Sequence, residues 1–197
     1  MCIRDRRYEG YPGLWVPALF YEPDDLHNHV PAVLNPNGHH AGGKAMDYKQ
    51  ARCINLAKRG MLALNTEFIG MGELRADAEH NRIGHLDLCG VAGIGVFYLR
   101  MKRGLDVLLA HPKADPARTA MTGLSGGGWS TTVAAAALPE IDLSVPVAGS
   151  VPKWATQGYP AWVADLPEGH NAAAVSPNPF DPPPLQGAGG DYEQARR

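Results

Sequence analysis

Apolar positions along the chain form two kinds of segment, short strand-like runs and longer stretches with a helical period. Strand-like runs bounded by turn residues cover residues 13–21, 30–34, 61–64, 119–122 and 143–148. Apolar spacing typical of helices covers residues 45–59, 91–110 and 129–138. Because strands and helices alternate along the chain, we predict an α/β fold, with a mostly parallel sheet and helices on both faces.

The connecting segments add three expectations. Pro17 lacks a backbone N–H, so it indicates that the first predicted strand lies at a sheet edge or carries a bulge. Residues 65–88 are predicted to form a long polar loop. Residues 112–116 are predicted to form a turn that precedes the next strand.

The chain divides into three parts. Residues 1–6 are similar to a translated sequencing adapter, and otherwise read as a polar tail, so we expect them to lie outside the fold. Residues 7–150 are predicted to be the folded core. Residues 151–197 are rich in proline and glycine and lack periodic segments, which indicates a loop-rich cap or an unfinished C-terminal region. The compartment is left open.

Composition narrows the function. The 197 residues are 45% apolar, enough for one domain with a core, and the formal charge of −2 without a basic tract disfavours nucleic-acid binding. No apolar run approaches the length of a membrane span. Three cysteines without a motif spacing indicate buried thiols. We expect no cofactor and no metal, because His39 and His40 have no carboxylate or third histidine at ligand spacing.

The segment Gly123-Leu-Ser-Gly-Gly127 lies between a predicted strand and a predicted helix. A serine on a sharp strand-to-helix turn exposes its hydroxyl, and neighbouring glycines avoid collisions with adjacent elements. The helix N-terminus also favours developing negative charge. Ser125 is therefore a candidate nucleophile. In the alternative interpretation, the segment is a glycine-rich turn in which Ser125 only caps the helix.

Three further segments accompany this motif: residues 33–40 (Val-Leu-Asn-Pro-Asn-Gly-His-His), residues 64–73, which end in Gly-Met-Gly-Glu, and residues 190–194 (Gly-Asp-Tyr-Glu-Gln). Together with the Ser125 motif, the chain resembles the α/β-hydrolase superfamily. More narrowly, it is similar to acetylxylan-esterase-like and dienelactone-hydrolase-like members. The resemblance covers about residues 12–150 and implies the α/β-hydrolase fold with its last strands missing.

The resemblance implies roles for four residues. Ser125 would attack an ester carbonyl to form an acyl-enzyme. The Gly126 N–H and a second N–H near Gly38 and His39 would form the oxyanion hole. The alternative for residues 35–40 is an ordinary polar turn.

The family order places an acid and then a histidine after the serine. No acid follows the strand 143–148, and His170 is the only downstream histidine. The downstream acids are Asp165, Glu168, Asp181, Asp191 and Glu193, none of which follows a strand-like run. We therefore expect the acid and base to lie beyond Arg197, and the chain to be an inactive fragment. The alternative pairs His170 with Asp165 or Asp191. The upstream histidines His80, His85 and His111 are expected to be loop or core residues.

The leading hypothesis is a serine carboxylesterase acting on a small-molecule or carbohydrate ester, in particular a carbohydrate acetyl esterase. One alternative is a non-catalytic α/β-hydrolase-like binding domain, and another is a serine peptidase of the prolyl-oligopeptidase type. Four aromatic residues either stack on sugar rings or pack in the core or cap. They are Trp129, Trp154, Tyr159 and Trp162. The oligomeric state is left open.

Overall fold

The computed structural model of the protein describes residues 1–76 and 80–149. The described strands are β1 (Cys2–Tyr11), β2 (Leu14–Glu22), β3 (Val30–Pro36), β4 (Leu62–Thr66), β5 (Ala114–Leu124) and β6 (Leu143–Val147). The described α-helices are α1 (Asp47–Lys58), α2 (Gly93–Leu109) and α3 (Gly126–Ala135). Short 3-10 helices cover Gly43–Ala45, Gly72–Leu74 and His80–Cys89.

The strands form one sheet in the order β1-β2-β4-β3-β5-β6. The pairs β1–β2 and β2–β4 are antiparallel, whereas β4–β3, β3–β5 and β5–β6 are parallel. The predicted α/β fold with a mostly parallel sheet is confirmed. Because β3, β4 and β5 run in the same direction, the loops that follow them emerge at one edge of the sheet.

Helices cover both faces of the sheet, as predicted. Side chains alternate between the faces along β4, where Leu62 and Leu64 face one side and Ala63 the other. The Leu64 side packs against α2 through residues such as Leu105. The Ala63 side packs against Cys53 of α1.

Residues 1–6 do not lie outside the fold, contrary to the expectation from sequence. Most of them belong to β1, which pairs with β2 from Cys2–Glu22 to Tyr11–Leu14. A segment with consecutive charged residues at positions 4–6 can form such a strand because the sheet edge leaves most of its side chains in solvent.

Of the two predictions for Pro17, the sheet edge is wrong, because β2 lies between β1 and β4. The β1–β2 ladder does have an irregularity, but it lies between Glu9 and Tyr11, and Pro17 itself pairs in register with Arg7. On the β4 side, the Pro17 carbonyl accepts the N–H of Glu67 at 2.9 Å. Proline retains its carbonyl, so this contact does not need the missing N–H.

Three smaller expectations also need correction. Two 3-10 helices interrupt the predicted loop 65–88, and β5 begins at Ala114 inside the predicted turn 112–116. Cys53 is buried as expected, but Cys2 and Cys89 are exposed.

Among the described helices, none is long and apolar enough on its own to cross a membrane. Residues 82–89 and 93–109 reach the length and apolar composition of a membrane span only when taken together, as a pair bent by 104°.

Candidate active site

Ser125 lies on a sharp turn between β5, which ends at Leu124, and α3, which begins at Gly126. Its backbone angles are φ 57° and ψ −121°, a conformation that costs energy for a residue with a side chain. In the described ranges, only Ala148 shares a positive φ among residues other than glycine. The predicted strand–turn–helix with a strained serine is confirmed.

The side chain of Ser125 is exposed and makes no capping hydrogen bond to α3. Its backbone N–H donates to Val147 O at 2.9 Å, and its carbonyl accepts from Trp129 N at 2.9 Å. Ser125 therefore occupies the N-cap position of α3 without capping the helix through its side chain. The backbone is held by β6 and α3 while the hydroxyl stays accessible.

The glycines of the turn are required by close backbone approach. A Cβ on Gly123 would lie 2.4 Å from Gly127 O, and a Cβ on Gly127 would lie 2.3 Å from Pro36 O. These neighbours are backbone atoms that cannot rotate away. The glycine spacing seen in the sequence therefore allows α3 to pack against the end of β3.

The loop that follows β3 lies directly against this turn. A Cβ added to Gly38 would lie 2.7 Å from both Gly126 N and Leu124 O. A Cβ on Gly126 would lie 2.9 Å from His39 Nδ1. Gly126 is the first residue of α3, so its N–H has no acceptor within the helix. The structure brings Gly38, His39, Ser125 and Gly126 together.

In the longest product of the reading frame that contains this chain, we expect Gly38→Ala to lower ester turnover by about 10²–10³-fold. This is the usual cost of losing one oxyanion donor, the role that the resemblance implies for this loop. The added methyl group would meet backbone on the Ser125 turn and force the loop away. Gly95→Ala in α2 is the matched control, since its Cβ meets nothing within 4 Å. The test compares the initial rates of ester hydrolysis of the two variants, with thermal unfolding to check that both are folded. If Gly38→Ala hydrolyses the ester as fast as Gly95→Ala, the prediction is wrong.

The buried carboxylate of Glu67 accepts a hydrogen bond from the backbone of the segment that follows β3. The Glu67 carboxylate accepts the backbone N–H of Lys44 at 2.8 Å, of Phe68 at 3.3 Å and of Glu73 at 3.3 Å. Burial raises the pKa of Glu67 above its usual value, and the N–H groups of Lys44 and Phe68 and the charges of Lys44 and Lys49 oppose that rise. The carboxylate thus ties the loop after β3 to the loop after β4.

Amide side chains extend this polar layer. Asn37 Nδ2 donates to Thr66 O at 2.8 Å, and Asn65 Nδ2 donates to Lys44 O at 3.0 Å. The sequence analysis missed these residues and Glu67. A signal was present, because buried polar residues directly follow the apolar runs of β3 and β4.

The histidines differ in their placement. The His39 ring packs on Phe68 with 4.9 Å between centroids. His85 is exposed, and His111 stacks on Phe20 at 5.6 Å with a pKa lowered mainly by burial. No group of described His, Cys, Asp and Glu residues is arranged to hold a metal ion.

The candidate base, His170, lies outside the described residues. The aromatic residues Trp154, Tyr159 and Trp162 also lie outside them. So do all the candidate acids, which are Asp165, Glu168, Asp181, Asp191 and Glu193. The Trp129 ring packs edge to face against Phe97, with 5.3 Å between the ring centroids. This contact matches the packing alternative for Trp129 in the sequence analysis.

The mostly parallel sheet and the serine turn between β5 and α3 define an α/β hydrolase. A family model of acetyl xylan esterases (AXE1) matches residues 3–152. The chain therefore belongs to the acetyl xylan esterase family.

Solved structures agree on the fold. A methylesterase is 26% identical, with a TM-score of 0.61 over 75% of this chain and 32% of its own. An acetyl xylan esterase from Paenibacillus sp. R4 is 22% identical, with a TM-score of 0.58 over 73% of this chain and 48% of its own. A dienelactone-hydrolase-like promiscuous phosphotriesterase from metagenomic libraries is 20% identical, with a TM-score of 0.60 over 77% and 60% of the two chains.

The matched region spans only part of each solved structure, from 32% to 60% of the length of these three. No curated protein matches the chain.

Proposed function

We propose that the protein is a serine-dependent carboxylic ester hydrolase that removes acyl groups, in particular acetyl groups from carbohydrate, through an acyl-enzyme. The observation that carries this proposal is the exposed Ser125 hydroxyl on a strained turn at the N-terminus of α3. Membership of the acetyl xylan esterase family supports the ester class and the carbohydrate substrate.

In the first half-reaction, Ser125 Oγ attacks the ester carbonyl carbon while its proton passes to a general base. The carbonyl oxygen becomes an oxyanion, which Gly126 N–H and an N–H of the Gly38–His39 segment stabilise. The C–O bond to the alcohol then breaks, and the base returns the proton to the leaving alcohol. Water, activated by the same base, cleaves the acyl-enzyme and releases the acid and free Ser125.

The general base lies outside the described residues in this proposal. None of the described side chains hydrogen-bonds to Ser125 Oγ, and a serine hydroxyl without an adjacent base is a weak nucleophile. Within the 197 residues the candidate is His170, the only histidine after Ser125. Because the chain spans only 32% to 60% of the length of the three solved structures named above, a histidine outside these residues is the second candidate.

Trapping the acyl-enzyme tests the proposal. A reaction with p-nitrophenyl acetate, run with the longest product of the reading frame that contains this chain, is quenched in acid and mapped by mass spectrometry. We expect an acetyl group on Ser125 and none on Ser130, whose hydroxyl donates to Gly126 O at 2.9 Å. Acetylated xylo-oligosaccharide should compete for this labelling. Steady turnover with acetylation at a different residue would refute Ser125 as the nucleophile.

A further inference from the structure

Lys49 is a buried cation next to the loop that contacts the Ser125 turn. It lies in α1 and its side chain is almost wholly enclosed, with 2% of the residue exposed. Its Nζ donates to Gly38 O at 3.3 Å. In the part of the chain that the structure describes, no carboxylate forms an ion pair with it.

Enclosing an ammonium group without an ion-pair partner is unfavourable. The Lys49 ammonium is compensated by Gly38 O at 3.3 Å, by the Tyr48 ring at 5.8 Å from its centroid and by the charge of Glu67. A hydrophobic residue of similar length would fill the same space without this cost. The position of Lys49 therefore points to a role for its charge beyond packing.

The role follows from the geometry of the peptide bond. The bond between Gly38 and His39 is trans, so its C=O and its N–H point in opposite directions. An ammonium group that holds the Gly38 carbonyl directs the His39 N–H away from α1. It also polarises the peptide, which strengthens that N–H as a donor.

We propose that Lys49 is a positioning residue that holds and polarises the Gly38–His39 peptide, so that the His39 N–H serves as the second oxyanion donor. This inference rests on the proposed ester hydrolase function, and it adds a residue that contacts neither substrate nor Ser125. Gly38 transmits the effect, because it packs so closely on the Ser125 turn that an added Cβ would lie 2.7 Å from Gly126 N and 2.9 Å from Gly127 N.

Protonation of Lys49 makes the proposal testable. Burial lowers the pKa of Lys49 to about 8, with Glu67 raising it and Arg52 lowering it. The loop also carries the titratable His39 and His40, and His40 contacts Tyr48 beside Lys49. Since the charged form supports the peptide, the support is present below pH 8 and is lost as the pH rises through that value.

Carbon-detected NMR of the labelled 197-residue chain tests the contact without requiring activity. We expect the Gly38 carbonyl carbon and the Lys49 Cε to titrate together near pH 8. The Gly38 step should vanish in Lys49→Met and in Lys49→Arg, since arginine keeps its charge throughout the range. It should persist in Lys44→Met, which removes a similarly buried lysine that pairs with Glu73 instead. A Gly38 step that survives both Lys49 substitutions would overturn the proposal.

Kinetics of the longest product of the reading frame supply the functional readout. Lys49→Met should lower kcat by about 10- to 10²-fold with little change in KM, less than the cost of losing a donor outright. The parent enzyme should lose kcat as the pH rises through about 8, and Lys49→Arg should not. Turnover that does not depend on Ser125 would refute the proposed function. Ser125-dependent turnover with the same alkaline fall in Lys49→Arg would refute the Lys49 inference alone.

Discussion

Ser125→Ala, made in the longest product of the reading frame that contains this chain, is expected to lower ester turnover by about 10⁶-fold, the loss seen when a serine hydrolase loses its nucleophile. The Ser125 hydroxyl is exposed on a strained turn, and its backbone is held by Val147 O and Trp129 N. Alanine keeps this backbone but removes the atom that forms the acyl-enzyme in the proposed mechanism. The residual rate should therefore come from binding and the oxyanion donors alone.

Ser130→Ala is the matched control for that variant. Ser130 lies one helical turn further along α3, and its hydroxyl bonds back to Gly126 O at 2.9 Å. A bond of this kind contributes little to a helix, so the variant should keep nearly full turnover. Rates on p-nitrophenyl acetate and on acetylated xylo-oligosaccharide are compared, with circular dichroism to check folding. If the two alanine variants turn over alike, Ser125 is not the nucleophile.

The 197-residue chain by itself is expected to hydrolyse p-nitrophenyl acetate at a trace rate, about 10⁶-fold below a complete serine hydrolase. None of the described side chains hydrogen-bonds to Ser125 Oγ, and in the sequence none of the downstream acids follows a strand-like run. A longer product of the same reading frame, compared side by side, should turn over at the full rate.

His170→Ala decides between the two sources of the base, with His85→Ala as control because His85 is exposed. Both variants of the 197-residue chain should leave its trace rate unchanged. Robust turnover by this chain, abolished in His170→Ala and kept in His85→Ala, would instead make His170 the base. Robust turnover that survives both substitutions would point to another base and would contradict both assignments.

The folding pattern was predictable where neighbouring residues decide it. The apolar run of residues 30–34 and the helical spacing of residues 91–110 correspond closely to β3 and α2. The glycines at 123 and 127 predicted a tight turn, and the structure explains them by backbone contacts within the turn and with Pro36.

The errors came from pairing across the sheet. Residues 4–6 are all charged, and nothing local reveals that residues 2–6 pair with β2. Pro17 has no N–H to donate to a neighbouring strand, but on the β4 side only its carbonyl is needed, as the acceptor of the Glu67 N–H. In the sheet, β4 lies between β2 and β3 although it follows both along the chain. The local pattern of apolar residues does not predict this strand order.

By itself, the sequence determined the α/β fold, the strand–turn–helix at Ser125 and the resemblance to esterases, because these features depend on residues that are close along the chain. Only the tertiary structure decided that the Gly38 loop lies against the Ser125 turn, and that Glu67 and Lys49 hold that loop from beneath. Lys49 and Gly38 are eleven residues apart, and Glu67 lies 23 residues from Lys44. Such contacts arise when parallel strands bring the ends of separate segments to one edge of the sheet, where burial makes each polar group find a partner.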